Sequence, residues 1–220
     1  MIVKRTITKE DISEMPKVNF EGKIIMVCTE KDAERAVAFL NQYPVLGIDS
    51  ETKPSFVKGK SHKVCLLQIA TEEHCFLFRL NLIGLPKVLV DLLENRSIVK
   101  VGLSLKDDFL ALHRRVSFKQ QNCIELQEFV KPFGIQDKSL QKIYAILFGH
   151  KISKSQRLSN WEADSLSHSQ QLYAATDAWT CLKIYNLLQD LHQTGNYEKE
   201  EIIEPVVEPV IEEKDKINGL

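Results

Sequence analysis

The sequence is poor in the features that mark secreted, metal-clipped or membrane-spanning chains. Its five cysteines, Cys28, Cys65, Cys75, Cys123 and Cys181, are scattered, and no two stand at C-x-x-C spacing. Neither a zinc site nor a disulfide framework is indicated; buried thiols in a reducing cytosol account for them. The histidines, His62, His74, His113, His150, His168 and His192, lack ligand spacing, and none is assigned to a metal. No run approaches the roughly 18 apolar residues of a membrane span. The first residues, "MIVKRTITKEDISEM", hold no apolar core of signal-peptide length. These absences predict a cytoplasmic chain with no membrane partner. No repeat of structural length is present.

What remains is a globular composition. The chain has 220 residues, of which 44% are hydrophobic, enough for one domain with a substantial core. The net charge of −1 is unevenly spread: Glu198 to Leu220 holds eight acidic residues and three lysines, so the remainder is mildly positive. That excess is too small to announce a nucleic-acid binder by itself. The stretch "IEPVVEPVIEE" has no helical or strand period that a domain could bury. Residues 1–197 therefore read as the folded domain and 198–220 as an acidic, disordered tail. A partner-recruiting or self-inhibiting role for that tail is the lesser alternative. Oligomeric state has no signature in the sequence.

Strand patterns cover Gly22 to Thr29, Val45 to Glu51, Val64 to Ala70, Cys75 to Leu80 and "SIVKVGL". Thr29, with Asp32 three residues on, starts a helix with an apolar stripe of Ala33, Ala36, Val37 and Leu40. A short helix spans about Pro86 to Leu93. Beyond Leu105 the chain reads as mainly helical, closing in a long helix from about Ser169 to Leu191. The pattern predicts an α/β fold with a central mixed sheet flanked by helices.

Several carboxylates stand where a core would not want them. In "VLGIDSET", Asp49 and Glu51 point to one face of a strand and repel each other. In "GLSLKDDFLALHRR", Ser104 reads as an N-cap and Asp107 as a first-turn acid. On a helical wheel Asp108 lies about 60° from Leu105, on the border of the buried face, while Asp107 lies about 160° away. In "QQLYAATDAWTCLKIYNLL", Asp177 falls inside the apolar stripe of Ala174, Ala178, Cys181, Ile184, Tyr185 and Leu188, with Tyr173 one turn earlier. Each signal alone is more often structural, and a Tyr173-to-Asp177 hydrogen bond is one plain way to satisfy the buried acid. Together, four carboxylates on one surface hold each other's pKa values up unless cations intervene. All-oxygen ligands favour Mg²⁺ or Mn²⁺, and two such ions suit an in-line displacement at phosphorus.

Those ordered motifs resemble the 3′-5′ exonucleases of the DEDDy type, the branch that includes ribonuclease D and the Werner syndrome exonuclease domain. Asp49 and Glu51 in "GIDSETKPSF" match the first motif, Asp108 in "VGLSLKDDFLAL" the second, and Tyr173 and Asp177 in "LYAATDAW" the third. "KVCLLQIAT" matches the strand after the first motif, and "LSNW" resembles the segment before the last helix in the Werner-type branch. The resemblance runs from about Ile24 to Leu191. It implies a ribonuclease H-like fold and hydrolysis of the terminal phosphodiester at a free 3′ end of nucleic acid, releasing nucleoside monophosphates. It implies two divalent cations: Asp49, Glu51 and Asp177 on the first, Asp49 and Asp108 on the second. Tyr173 would orient the attacking water. The "SNW" likeness favours DNA over RNA. The alternatives are an exoribonuclease of the ribonuclease D type and a binding module of the same fold without catalysis.

Residues expected to meet the substrate flank these motifs. Thr52 and Lys53 follow the first; they either contact the terminal nucleotide or form an exposed turn before Pro54. Phe56 either stacks on a base or lies buried under its loop. "KGKSHK", from Lys58 to Lys63, is a basic loop. Lys151, Lys154 and Arg157 form a second one, ahead of the last helix, where phosphate contact competes with simple solvation. Trp161 is either a base platform or the anchor of its loop, the latter preferred.

Overall fold

The computed structural model describes residues 1–55 and 62–201. In chain order the elements are β1 (Ile2–Val3), α1 (Lys9–Glu14), β2 (Lys17–Val18), β3 (Lys23–Val27), α2 (Glu30–Leu40), β4 (Val45–Thr52), β5 (Val64–Ala70) and β6 (His74–Phe78). Then come α3 (Leu80–Ile83), α4 (Lys87–Glu94), β7 (Val99–Gly102), α5 (Leu105–His113), β8 (Cys123–Glu125) and α6 (Leu126–Phe129). The chain continues through α7 (Leu140–Phe148), β9 (Lys151–Ile152), α8 (His168–Thr194) and β10 (Glu198–Lys199). Among the described residues no helix is long and apolar enough to cross a membrane.

The six-stranded sheet has the order β3-β6-β5-β4-β7-β8. Strand β4 runs antiparallel to β5 and parallel to β7, so the sheet is mixed, as the alternation of strands and helices predicts. Alternation along β4 divides its side chains between two cores. Leu46 and Ile48 join α2, α4 and α5 on one face, with Leu40, Leu89, Leu105 and Phe109. Gly47, Asp49 and Glu51 point to the other, where α8 lies. A Cβ on Gly47 would sit 2.1 Å from the Ala178 carbonyl oxygen, so only a glycine lets α8 come this close to β4. The stripe Ala174, Ala175 and Ala178 completes that approach against Leu66, Ala70 and Leu77.

Helix α8 starts with a capping box: the Ser167 hydroxyl accepts from Gln170 N–H and the Gln170 side chain accepts from Ser167 N–H. Such an end fixes the register of Tyr173 and Asp177 over the sheet.

Three expectations need correction. The mainly helical reading beyond Leu105 left out two strands: β8 and β9 are short and half-polar, with no apolar alternation to reveal them. Second, the acidic tail does not begin at Glu198. Strand β10 pairs in parallel with β1, Glu198 N–H donating to the Met1 carbonyl and Glu200 N–H to that of Val3. The Glu200 carboxylate also accepts from Arg5 N–H at 2.9 Å. Backbone pairing needs no hydrophobic side chain, so an acidic segment joins the fold through it. The rest of the expected tail, residues 202–220, lies outside the described residues. Third, Ser104 holds the N-cap position of α5 but makes no side-chain cap.

Candidate active site

Strand β4 and helix α8 bring three carboxylates together. One oxygen each from Asp49, Glu51 and Asp177 lies within 4.8 Å of the others. Asp177 is 8% exposed, and Asp49 and Glu51 are half-buried at the open end of β4. A bulge between Glu51 and Thr52 ends the regular pairing with β5 just past the acids.

Asp108 comes from the other side of the sheet. Helix α5 packs on the Ile48 face, and Asp108 accepts a 2.5 Å hydrogen bond from the hydroxyl of Ser50, the residue between Asp49 and Glu51. The wheel placement agrees with the structure: Asp107 is exposed and Asp108 half-buried. Helix α5 is capped from a distance. The Glu125 carboxylate accepts from Ser104 N–H at 2.9 Å and Leu105 N–H at 2.7 Å. This lets Ser104 adopt a left-handed conformation, φ 64°, at the turn that aims Asp108.

Burial raises the pKa of all four carboxyls, and repulsion from the neighbouring acids adds to it at Asp49 and Glu51. Asp49 is pushed well above the ordinary carboxylate range by burial first, then by Asp108, Asp177 and Glu51. Glu51 is pushed up to about 9 by burial and by Asp177 and Asp108, against an opposing pull from Arg157. Burial lifts Asp177 to about 7, although the Tyr173 hydroxyl donates to it and Lys154 lies near. Asp108 rises to about 6, burial outweighing the Ser50 hydrogen bond. Tyr173 itself is pushed far up by burial and the acids around it, so its hydroxyl stays protonated.

The donor set fits hard divalent cations: carboxylates only, held close, and costly to ionise without a counter-charge. Gln68 adds to the fit. It lies directly across from Asp49 in the β4–β5 register, fully buried, with both amide atoms unpaired among the described residues. A polar group is thus kept next to a buried acid, where an apolar one would pack at lower cost.

The expected substrate residues divide. Lys154 and Arg157 are exposed, and their charges act on Asp177 and Glu51. Lys53 is engaged in an ion pair with Glu162 at 3.3 Å, and His62 lies 3.7 Å from the same carboxylate. Thr52 ends β4 beside the acids. Phe56, like Lys58 and Lys60, lies outside the described residues. Lys151 belongs to strand β9 rather than to a free loop, and its ammonium donates to the Ser13 carbonyl. Trp161 is fully buried, its ring centroid 5.9 Å from that of Tyr173. It offers no face to a base; it anchors its loop and supports the tyrosine.

Sequence reasoning missed Arg79. Fully buried, it donates to the carbonyls of Ala163 and Asp164 and so fastens the loop carrying Lys154, Arg157 and Trp161 to the end of β6. An arginine after an apolar strand gives no hint of this. Ser50 and Gln68 were equally hidden, although their places beside Asp49, in the motif and in the facing strand, are the signal that could have found them.

Residues 24–193 match the family model described as 3′-5′ exonuclease. The chain is 32% identical over 191 residues to the bifunctional 3′-5′ exonuclease/ATP-dependent helicase WRN of Mus musculus, an alignment covering 82% of this chain and 14% of that protein. It is 31% identical over 175 residues to a 3′-5′ exonuclease of Arabidopsis thaliana, covering 77% of this chain and 59% of that one. The chain thus spans less than two thirds of these relatives. Its fold is similar to that of Escherichia coli RNase D, an exoribonuclease involved in structured RNA processing, with a TM-score of 0.70, 21% identity, and coverage of 78% of this chain and 46% of that one. The architecture is the ribonuclease H-like one.

Proposed function

The chain belongs to the 3′-5′ exonuclease family, and we propose that it hydrolyses the terminal phosphodiester at the 3′ end of a nucleic-acid strand, releasing nucleoside 5′-monophosphates. The observation that carries this reading is the approach of Asp49, Glu51 and Asp177 to within 4.8 Å in a setting that resists their ionisation. Asp49, Glu51 and Asp177 would hold one divalent cation, and Asp49 with Asp108 a second, Mg²⁺ or Mn²⁺ in each case. When bound, these ions supply Lewis acidity at the attacking and leaving oxygens of an in-line displacement at phosphorus.

The protein's own groups do the rest. The Tyr173 hydroxyl, protonated at neutral pH, orients the attacking water and is too weak an acid to serve as a base. Trp161 keeps its ring in place. Lys154 and Arg157 face the site and take the phosphates that enter it. The Ser50 hydroxyl donates to Asp108 and so fixes its carboxylate against the strand that carries Asp49 and Glu51.

We propose DNA rather than RNA as the substrate, on the resemblance of this chain's "LSNW" segment, Leu158 to Trp161, to the Werner-type branch. The test uses single strands labelled at the 3′ or the 5′ end, DNA and RNA alike, with Mg²⁺, Mn²⁺ or EDTA. The reading expects immediate release of the 3′ label as mononucleotide, progressive shortening of the 5′-labelled strand, faster turnover of DNA, and silence in EDTA. Internal cleavage or digestion from the 5′ end would overturn it.

A further inference from the structure

Two cavities outside the carboxylate cluster share one wall. The larger, about 680 Å³, is lined by Lys9, Lys142, Lys151 and Lys154, with Ser13 and Ser139 between them. The other, about 490 Å³, is lined by Arg5, Lys131, Lys138 and Lys199. Asp137 lines both. Its charge is already engaged, one oxygen accepting from Lys142 Nζ at 2.7 Å and the other from Ile7 N–H at 2.9 Å. The only other acidic residue lining either cavity among the described residues is Glu200, whose carboxylate accepts from Arg5 N–H. Among the described residues Lys9, Lys138, Lys154 and Lys199 are exposed and in no ion pair. A chain of net charge −1 has thus gathered eight cations along one continuous surface.

That surface begins at the catalytic end. Lys154 lies in the larger cavity and is close enough to Asp177 for its charge to act there. Strand β9 separates the larger cavity from a small pocket of about 190 Å³ that Tyr173 lines together with Ser153, Ser155 and Lys17. The features thus run from the pocket that Tyr173 lines, through the cavity of Lys154, Lys151 and Lys9, past the shared Asp137, to the cavity of Lys138 and Lys199.

We propose that this surface is a track for the sugar–phosphate backbone of the strand upstream of the bond being cut, running from Lys154 through Lys9 to Lys138 and Lys199. The inference rests on the exonuclease reading, which places the 3′ terminus at the carboxylates and leaves the upstream strand to exit over the neighbouring surface. Lysines take phosphates as point charges and read no base. The track therefore holds DNA and RNA alike and makes affinity grow with strand length. It also explains why Lys151 is tied down: its bond to Ser13 joins β9 to the end of α1, the two walls of the larger cavity.

The test is binding by fluorescence anisotropy, with the full chain in Ca²⁺ and labelled single strands of about 4 and about 12 nucleotides, the range one compact domain covers. Charge reversal at two track positions, Lys9→Glu with Lys138→Glu, is expected to weaken the longer strand tenfold or more, to lower the slope of log affinity against log salt by about 1–2, and to leave the shorter strand unchanged. DNA and RNA should lose affinity alike. The matched pair Lys31→Glu with Lys87→Glu, on α2 and α4 across the sheet, changes net charge equally and should leave both lengths as in the parent. Equal weakening at both lengths, an equal effect of the control pair, or loss confined to one type of sugar would overturn the track. If the parent still releases 3′ mononucleotides, the exonuclease reading survives that failure; a parent that binds neither length brings down both.

Discussion

Replacing Asp177 with Asn tests whether the fold carries an electrostatic cost at its carboxylates. The substitution keeps size and keeps an oxygen to accept from the Tyr173 hydroxyl, but removes one buried charge. Asp177 is lifted from 3.8 to about 7. A carboxyl held above its ordinary value binds more protons folded than unfolded, so stability falls as pH rises. The penalty is absent below about pH 4, grows through the interval up to about pH 7, and is complete above it. A shift of about three units corresponds to an upper bound of about 4 kcal/mol. Relaxation and sharing among coupled neighbours bring the expected gain to on the order of 1–3 kcal/mol. For a domain of this size that is a rise in Tm of roughly 3–9 °C. Thermal unfolding in EDTA at pH 8 should therefore show Asp177→Asn above the parent, the gap closing as pH falls toward 4. Saturating Mn²⁺ should reverse the order, because only the parent gains fully from binding, about 2.7 kcal/mol at a hundredfold excess over Kd. A variant no more stable than the parent at pH 8 without metal would refute the reasoning.

Other outcomes follow from the same geometry. Tyr173→Phe should lower kcat by about 10²-fold with KM almost unchanged, in single-turnover kinetics on a short oligonucleotide; lower stability with intact chemistry would reduce the hydroxyl to a partner of Asp177. Lys154→Ala with Arg157→Ala should raise KM and flatten the salt dependence, whereas Lys151→Ala should chiefly lower Tm, since its ammonium holds Ser13. A chain ending at Glu201 should keep its turnover, while one ending at Asn196 should unfold at lower temperature because it lacks the partner of β1.

The strand and helix that carry the clustered carboxylates were legible because burial writes a period into them. Asp49 and Glu51 interrupt a two-residue alternation, and Asp177 interrupts a helical stripe, so the misfits themselves pointed to the carboxylates that the fold brings together. Asp108 was separable from Asp107 for the same reason. What escaped was set by contacts between distant segments. Nothing near Ser50 announces Asp108, nothing near Ser104 announces Glu125, and the β1–β10 pair joins residues almost at opposite ends of the described chain through backbone groups alone. Trp161 shows the limit most clearly. The sequence prefers an anchor there but leaves a base platform open, and only its complete burial decides for the anchor.

The central claim, water attack at the 3′-terminal phosphodiester under the control of the β4 and α8 carboxylates, has a direct measurement. A strand with a unique 3′ nucleotide is digested in oxygen-18 water with Mg²⁺, and the released nucleotide is analysed by mass spectrometry beside an Asp49→Asn control. A nucleoside 5′-monophosphate carrying one heavy oxygen on its phosphate, absent in EDTA and absent with the variant, is the predicted product. A 3′-monophosphate, an unlabelled product, or undiminished release by Asp49→Asn would contradict it.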